Sequence, residues 1–590
     1  VSRPWTAAVV GVLAVLLLGP AALDPLHRFV GSDWLDAYGT QWFYWWTERR
    51  LAGDDAGALL FFPWGKDLYR HTGGNLLDAA IATPLRWALG APGGTNAFVL
   101  LILLSNAWGA TRVAAAAGVE ERSGRLAAAL LGLFNPFALF ELQQGRPTQA
   151  MLVFPSLFIA SLARPAGLRS GLSGGLWLAL TGLTYWYYGI LGGLLAVLAS
   201  LARAVGGRPM GEGARLALVG AVSLAVVLPF AAPMLRDLGD GQVPGLLALA
   251  DTPGPLGRLR LRTVEGDEQG LFVLALSGRG GALIEPDDLR FDPGVRLFGA
   301  AHLLAVLAGS LSARRATRRL ALAVGAGALV FAVGPVVIVG RDFVANPLYL
   351  WGVERLDVLR RWWWPGRSVA WMHLIITMLG ALAVQRVARA RGRRWGLAAA
   401  VGLGAWAAAV PARQGLAPLD WWPAQVSAGI HCLAQPAAGA VIELPYKLGQ
   451  RPLYHQTIHG RPILNGMLVT KEAFTPPEMV ALRNDNSAVA LLLALGERDW
   501  RHPRDAWTAA DLQALRELGY RTVVFRKEGY LRPRPQRDGS VRMESDWPRA
   551  RRIFAEVGFL VEPVWEDDEL ALYTLGREVD FTCDATATPD

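Results

Sequence analysis

"GLSGGLWLALTGLTYWYYGILGGLLAVLASLARA" occupies residues 171–204. As one helix it would be about 51 Å long at 1.5 Å per residue, far beyond a bilayer core of about 30 Å. Split at the aromatic break "TYWYYG" (184–189), it becomes two short crossings, 171–184 and 187–204. Charge supports the split. Loops on the cytoplasmic side collect Arg and Lys. With two crossings and the N-terminus inside, Arg122 and Arg125, Arg164 and Arg169, and Arg203, Arg208 and Arg215 all fall on one side. So do Arg314, Arg315, Arg318 and Arg319, then Arg386, Arg389, Arg391, Arg393 and Arg394. Merging the pair would turn the last two clusters outward.

Working outward from this pair, the pattern predicts about eleven transmembrane helices. They lie near 5–23, 97–117, 125–141, 147–163, 171–184, 187–204, 214–233, 295–311, 319–339, 367–387 and 394–411. The N-terminus is expected inside and the C-terminus outside. The first apolar stretch also has the form of a signal peptide, with Arg3, an apolar core and small residues. Its length favours a retained helix.

The chain has 590 residues, 53% hydrophobic and 18% charged, with mean hydropathy +0.29. Soluble domains carry about 25% charge, and the deficit here lies before residue 411. The net charge of +9 sits between apolar segments, where a membrane protein keeps it, which argues against nucleic acid as a partner. The expected organisation is an α-helical multi-pass membrane domain, 1–411, followed by a small extracytoplasmic α/β domain, 412–590. The membrane domain carries large outer loops at 24–96, 234–294 and 340–366.

In the second domain, "GAVIELPY" (439–446) and "YRTVVFRK" (520–527) read as strands. "TAADLQALRELG" is a helix capped by Thr508 and stopped by Gly519, and "WPRARRIFAEVG" is a helix ending at Gly558. "LVEPVWEDDELALYTL" reads as two strands around an acidic turn. Cys432 and Cys583 both fall here, free to pair in an oxidising compartment or to remain thiols.

The first outer loop begins "GSDWLDAYGTQWFYWW" (31–46). On a helix, Asp33, Asp36 and Thr40 share a face, with Trp34, Tyr38, Trp42 and Trp45 opposite, while Phe43 and Tyr44 blur the division. Such a helix suits the membrane interface, aromatics against lipid or protein and acids toward water. An ordinary helix start gives the same spacing, with Ser32 as cap and carboxylates favoured by the dipole.

Cations accompany these acids. Arg360, Arg361 and Arg367 lie in "LRRWWWPGR", and Lys66, Arg70 and His71 lie in the first outer loop. Transfer of a sugar from a lipid phosphate needs a carboxylate to take the acceptor's proton and fixed cations to stabilise the departing phosphate. A guanidinium fork suits that role. Anchoring of helix ends is the ordinary alternative. His455 and His459 stand four residues apart, but Gly460 and Pro462 follow and the surroundings read as loop or strand. No carboxylate completes a metal motif there. Packing, or contact with substrate, is the expectation for this pair. The acidic "WEDDE" (565–569) reads as a hairpin turn.

"GSDWLDAYGTQWFYWW", "FFPWGKDLYRHTGG", "QQGRPTQAML" (143–152), "TYWYYG", "RRWWWPGRSVAW" and "VIELPYKLGQRPLYHQTIHGRPILNG" together resemble the GT-C superfamily of integral membrane glycosyltransferases. The likeness is to uncharacterised bacterial members and YfhO-like membrane proteins. It implies a membrane glycosyltransferase of the cell envelope, in a bacterial inner membrane. Its donor would be a polyprenyl-phosphate sugar and its acceptor an extracytoplasmic glycan, lipid or protein. Asp36 or Asp33 would be the catalytic acid of the first outer loop, Asp36 being favoured because it leads the aromatic run. Arg367, Arg361 and Arg360 would hold the donor phosphate. Lys66, Arg70, His71, Tyr44, His455 and His459 would be substrate contacts. Some relatives use a divalent metal and others do not, so no cofactor is assigned.

A non-catalytic assembly protein on the same scaffold is the main alternative. A lipid or glycan transporter fits less well, because the charge lies at helix ends rather than at mid-membrane, with Arg112, His302 and His373 as exceptions.

Overall fold

The computed structural model describes residues 3–33, 35–54, 56–67, 76–205, 209–239, 300–339, 342–356, 359, 364–446, 450–466, 475–496, 507–535, 541–558, 560, 562–576 and 581–583, with the short strands Leu247–Leu249, Leu259–Leu261, Leu271–Val273 and Leu289–Phe291. The chain forms two compact units. One holds residues 1–33 and 72–422, the other residues 34–71 and 423–590. The segment 34–71 therefore belongs with the C-terminal part, although it had read as part of an outer loop of the membrane domain.

The first unit is helical. Among the described residues, six helices are long and apolar enough to cross a membrane: Leu76–Ala116, Arg122–Gln143, Trp186–Ala204, Pro209–Arg236, Pro365–Arg391 and Arg393–Arg413. The protein is a multi-pass membrane protein. Shorter helices occupy the other expected segments, including Arg3–Leu17, Val153–Ala163, Leu168–Thr184, Ala300–Ser312 and Arg315–Ala332. The segment expected to cross at 319–339 stops helically at Ala332 and continues as the strand Val336–Val339, paired with Asp342–Ala345.

The break in the opening stretch falls at Tyr185, whose backbone is extended (φ −152°, ψ 112°) between Leu168–Thr184 and Trp186–Ala204. The two helices meet at glycines: a Cβ on Gly189 would lie 2.6 Å from the Cα of Gly182. Small residues permit such backbone approach in membranes. A second break is carried by Asn106, whose side chain donates to the Ala150 carbonyl and accepts from the Leu152 N–H, both at 2.8 Å. These bonds satisfy backbone groups that a bilayer core cannot.

Helix ends are grouped as the charge pattern groups them. Arg389 pairs with Glu120 at 2.7 Å, and Gln385 accepts from the Glu120 and Glu121 N–H groups. At another pair of ends, Arg203 meets Glu212 at 3.1 Å, and Arg215 donates to the Leu162 carbonyl at 3.0 Å.

The second unit is α/β. Its four-stranded sheet runs Pro563–Glu566, Leu570–Thr574, Tyr520–Arg526, Ala440–Leu444, the last pair parallel and the others antiparallel. Thr508 caps the helix Ala509–Glu517 by accepting from the Asp511 N–H, and Gly519 ends it with φ +97°. The acidic turn is made by Asp567, which accepts from the Glu569 and Leu570 N–H groups. Cys432 and Cys583 form a disulfide.

The helix Leu35–Leu51 is not an interfacial helix with one wet face. Residues 37–44 are all buried, together with Trp46. It packs on the helix Arg451–His459: the Trp42 indole N–H donates to Gln456 at 2.7 Å, and Tyr38 stacks on Tyr454 at 6.1 Å. The aromatics predict burial but not its partner, which is a helix over 400 residues downstream.

Candidate active site

Buried charge in the membrane unit gathers where three helix ends meet. Glu141 lies near the end of Pro136–Gln143 and is fully buried. Arg146 follows it across a turn closed by the Arg146 N–H on the Glu141 carbonyl at 2.8 Å. Its guanidinium returns to the same residue's carboxylate at 3.1 Å. Arg367, on the short helical turn Pro365–Ser368, reaches that carboxylate at 3.5 Å. It also donates to the Tyr185 hydroxyl at 2.7 Å. Trp364 lies beneath both guanidiniums, 4.3 Å from Arg367 and 5.3 Å from Arg146. Beside them Thr148 donates to Asp78 at 2.7 Å. Two guanidiniums thus share one carboxylate in a low-dielectric place, over an aromatic face that favours cations. The junctions near 141–148, 184–189 and 364–368 are those the sequence topology put on one side.

Asp33 is tied to this end of the unit. The Gly31 N–H donates to the Asp420 carbonyl at 2.7 Å, and the Ser32 N–H and hydroxyl both donate to the Gln143 carbonyl, at 2.8 and 2.7 Å. Gly31 sits at φ +102°, and a Cβ there would meet the Leu142 carbonyl at 2.8 Å, so only glycine fits. The Ser32 hydroxyl donates to Gln143 rather than only facing the following helix. Asp33 follows immediately and is exposed. Its neighbour Ser32 is bonded to a residue two positions from Glu141.

Asp36 lies in the second unit, half-buried in the first turn of Leu35–Leu51. Tyr44 is fully buried in the same helix. Lys66 is half-buried and lines a cleft with Trp64, Asp67 and Glu478. Arg360, Arg361, Arg70 and His71 lie outside the described residues.

His455 and His459 are on a helix, where loop or strand had been expected. Pro452 is tolerated in its first turn and Gly460 ends it with φ +66°. Both imidazoles are buried. His455 meets the fully buried Glu443 at 2.9 Å, and Arg526 meets the same carboxylate at 3.2 Å. Burial alone would raise the Glu443 carboxyl; His455 and Arg526 outweigh it and hold it below the usual range.

The His459 Nδ1 accepts the Arg461 N–H at 2.9 Å, which requires the neutral ring, and burial holds its imidazole down to about 3. Its folded value lies below the unfolded value of about 6.5. The stability it gives is therefore whole above that value and is lost as pH falls toward the folded one. Glu443 acts in the same direction at lower pH. The expected slope is about 1.4 kcal/mol per pH unit below 6.5. Melting of the purified protein at pH 7, 6 and 5 should show the decline. His459→Asn should flatten it, and an unchanged slope in that variant would remove His459 as its source.

Glu141, Arg146 and Tyr185 were not among the sequence candidates. Glu141 and Arg146 had a signal, being charges on either side of a short connection between two apolar segments. Tyr185 had only its place in the aromatic break.

Among the described residues, no three His, Cys, Asp or Glu side chains gather to hold a metal ion.

No protein-family model and no curated protein matches the chain. Solved structures do. The arabinofuranosyltransferase AftD from Mycobacteria is similar at TM-score 0.51 and 18% identity, over 98% of this chain and 42% of that one. This chain thus spans less than half the length of that enzyme. The Archaeoglobus fulgidus oligosaccharyltransferase in its apo form is similar at TM-score 0.50 and 10% identity, over 92% of this chain and 74% of that one. ArnT from Cupriavidus metallidurans in the apo state aligns at TM-score 0.49 and 14% identity. With its multi-pass helical unit and its smaller α/β unit, the chain has the GT-C fold that these structures share.

Proposed function

We propose that the protein is a membrane glycosyltransferase that moves a sugar from a polyprenyl-phosphate carrier to an extracytoplasmic acceptor. The observation that carries this reading is the pair of guanidiniums, Arg146 and Arg367, gathered on buried Glu141, at the end of the unit to which Ser32, the residue before Asp33, is bonded. The acceptor hydroxyl gives its proton to Asp33 or Asp36 as its oxygen bonds the anomeric carbon. The bond from that carbon to the phosphate oxygen breaks, and the lipid phosphate leaves as an anion. Arg367 and Arg146 supply fixed, already desolvated positive charge for that anion, and such preorganised charge costs no rearrangement at the moment of reaction. Arg360 and Arg361 remain candidates for the same phosphate.

The disulfide supports an extracytoplasmic second unit, because disulfides persist in oxidising compartments. Eleven crossings, with the N-terminus inside, are the topology consistent with that placement.

The test is binding of decaprenyl phosphate to the purified protein. Wild type should bind, and Arg367→Ala should bind about 10- to 100-fold more weakly. Arg367→Lys keeps the charge but not the fork, and should fall between. A folded wild-type protein that binds no polyprenyl phosphate would turn the reading toward a non-catalytic assembly protein.

A further inference from the structure

The second unit contains a cleft that the transfer chemistry leaves unused. Its volume is about 450 Å³, within the range of about 300–1,000 Å³ for small-ligand sites. One wall is the loop 57–67 and the other is Pro476, Pro477 and Glu478, at the start of the helix Pro477–Asp485.

The loop is a built wall. Phe61 is fully buried and its N–H donates to the Asn465 carbonyl at 3.1 Å. The Tyr520 hydroxyl donates to the Phe62 carbonyl. The Lys66 N–H closes the loop on the Gly57 carbonyl and the Trp64 N–H closes it on Phe61, both at 3.1 Å. With its backbone tied at both ends, the loop presents Trp64, Lys66 and Asp67 to the cleft. Trp64 is 38% exposed and lines the cleft, so part of its apolar face is open to a ligand there. Lys66 is half-buried, and burial holds its ammonium below the ordinary lysine range while Glu478 pulls the other way.

The lining selects its ligand by chemistry. One ammonium stands against two carboxylates, so the cleft turns away phosphates and other anions. The ammonium also opposes a metal ion. The indole and the two proline rings offer flat apolar surface, while Asp67 and Glu478 accept hydrogen bonds and Lys66 donates them. A neutral sugar ring meets all of these demands, with C–H bonds on one face and hydroxyls at its rim. We infer that this cleft binds a neutral oligosaccharide, as the docking site for the acceptor glycan. The acceptor role rests on the glycosyltransferase reading; glycan binding itself does not.

The full chain in nanodiscs should be titrated with mannohexaose, maltohexaose and the anionic hexagalacturonate, followed by calorimetry and saturation-transfer NMR. One of the neutral hexasaccharides should bind, with its ring protons saturated from an aromatic residue. Trp64→Ala should weaken it about tenfold or more, and Glu478→Gln by a smaller factor. Decaprenyl phosphate should bind wild type and Trp64→Ala equally. No binding of either neutral sugar, unchanged affinity in Trp64→Ala, or preference for hexagalacturonate would each overturn the assignment. Glycan binding that depends on Trp64 in a protein that ignores decaprenyl phosphate would keep the cleft and sink the transferase.

Discussion

Glu141→Ala is expected to destabilise the membrane unit by about 3–5 kcal/mol, the cost of leaving buried charge uncompensated. Glu141 is fully buried and holds Arg146 at 3.1 Å and Arg367 at 3.5 Å. Its removal leaves two guanidiniums close together in a medium that screens them poorly. The measurement is the unfolding midpoint of the protein in a mild detergent. The companion variant replaces Glu141, Arg146 and Arg367 together by Leu, Met and Met. A buried ionic triad exchanged for apolar side chains of similar volume is often neutral or stabilising, so the triple variant should recover most of the loss. It should nevertheless bind no lipid phosphate. Recovery of stability without recovery of binding separates a functional cluster from a structural one. If the triple variant still bound decaprenyl phosphate, the guanidiniums would be only a clamp between helix ends.

Much of this architecture was legible because apolar length and arginine placement are properties of short stretches. The break at Tyr185 could be placed to within a residue, since a single helix of 34 residues could not fit the bilayer. The strands and helices of the second unit were legible for the same kind of reason: Thr508, Gly519 and Gly558 are stop and start signals read locally.

What could not be read was pairing across the chain. Its place after the first helix assigns the segment 34–71 to the membrane domain when only the sequence is read. Its loyalty to the second unit rests on Trp42 with Gln456 and on Phe61 with Asn465, contacts over 400 residues apart. The helix Arg451–His459 was missed because a proline at its start and a glycine after its end look like loop until the intervening pattern is counted. The cluster around Glu141 was half visible. Arg367 stood out in a tryptophan-rich motif, whereas Glu141 and Arg146 flank a short turn between apolar segments, and nothing local says that they meet Arg367.

The choice between the two acids of the first outer loop now has a physical basis. Asp33→Asn is expected to lower the turnover of a polyprenyl-phosphate sugar by about 10²- to 10⁴-fold, the range for loss of a general base, while decaprenyl phosphate binding stays as in wild type. Asp36→Asn should cost less than about tenfold in turnover and about 0.3–1 kcal/mol in stability, through the lost favourable charge at a helix start. Sequence order had favoured Asp36. We propose Asp33 instead, because it is exposed, belongs to the unit that carries the arginines, and follows a residue bonded twice to Gln143. Asp36 is half-buried in the first turn of a helix whose residues 37–44 are buried, in the other unit. Gly31→Ala supplies the check on positioning. It leaves both acids in place but forces the strap off the Leu142 carbonyl, so turnover should fall in that variant while donor affinity holds. Loss of turnover in Asp36→Asn alone would return the base to the second unit. Full turnover in the double variant would leave both carboxylates as helix-start residues and remove general-base catalysis from this loop.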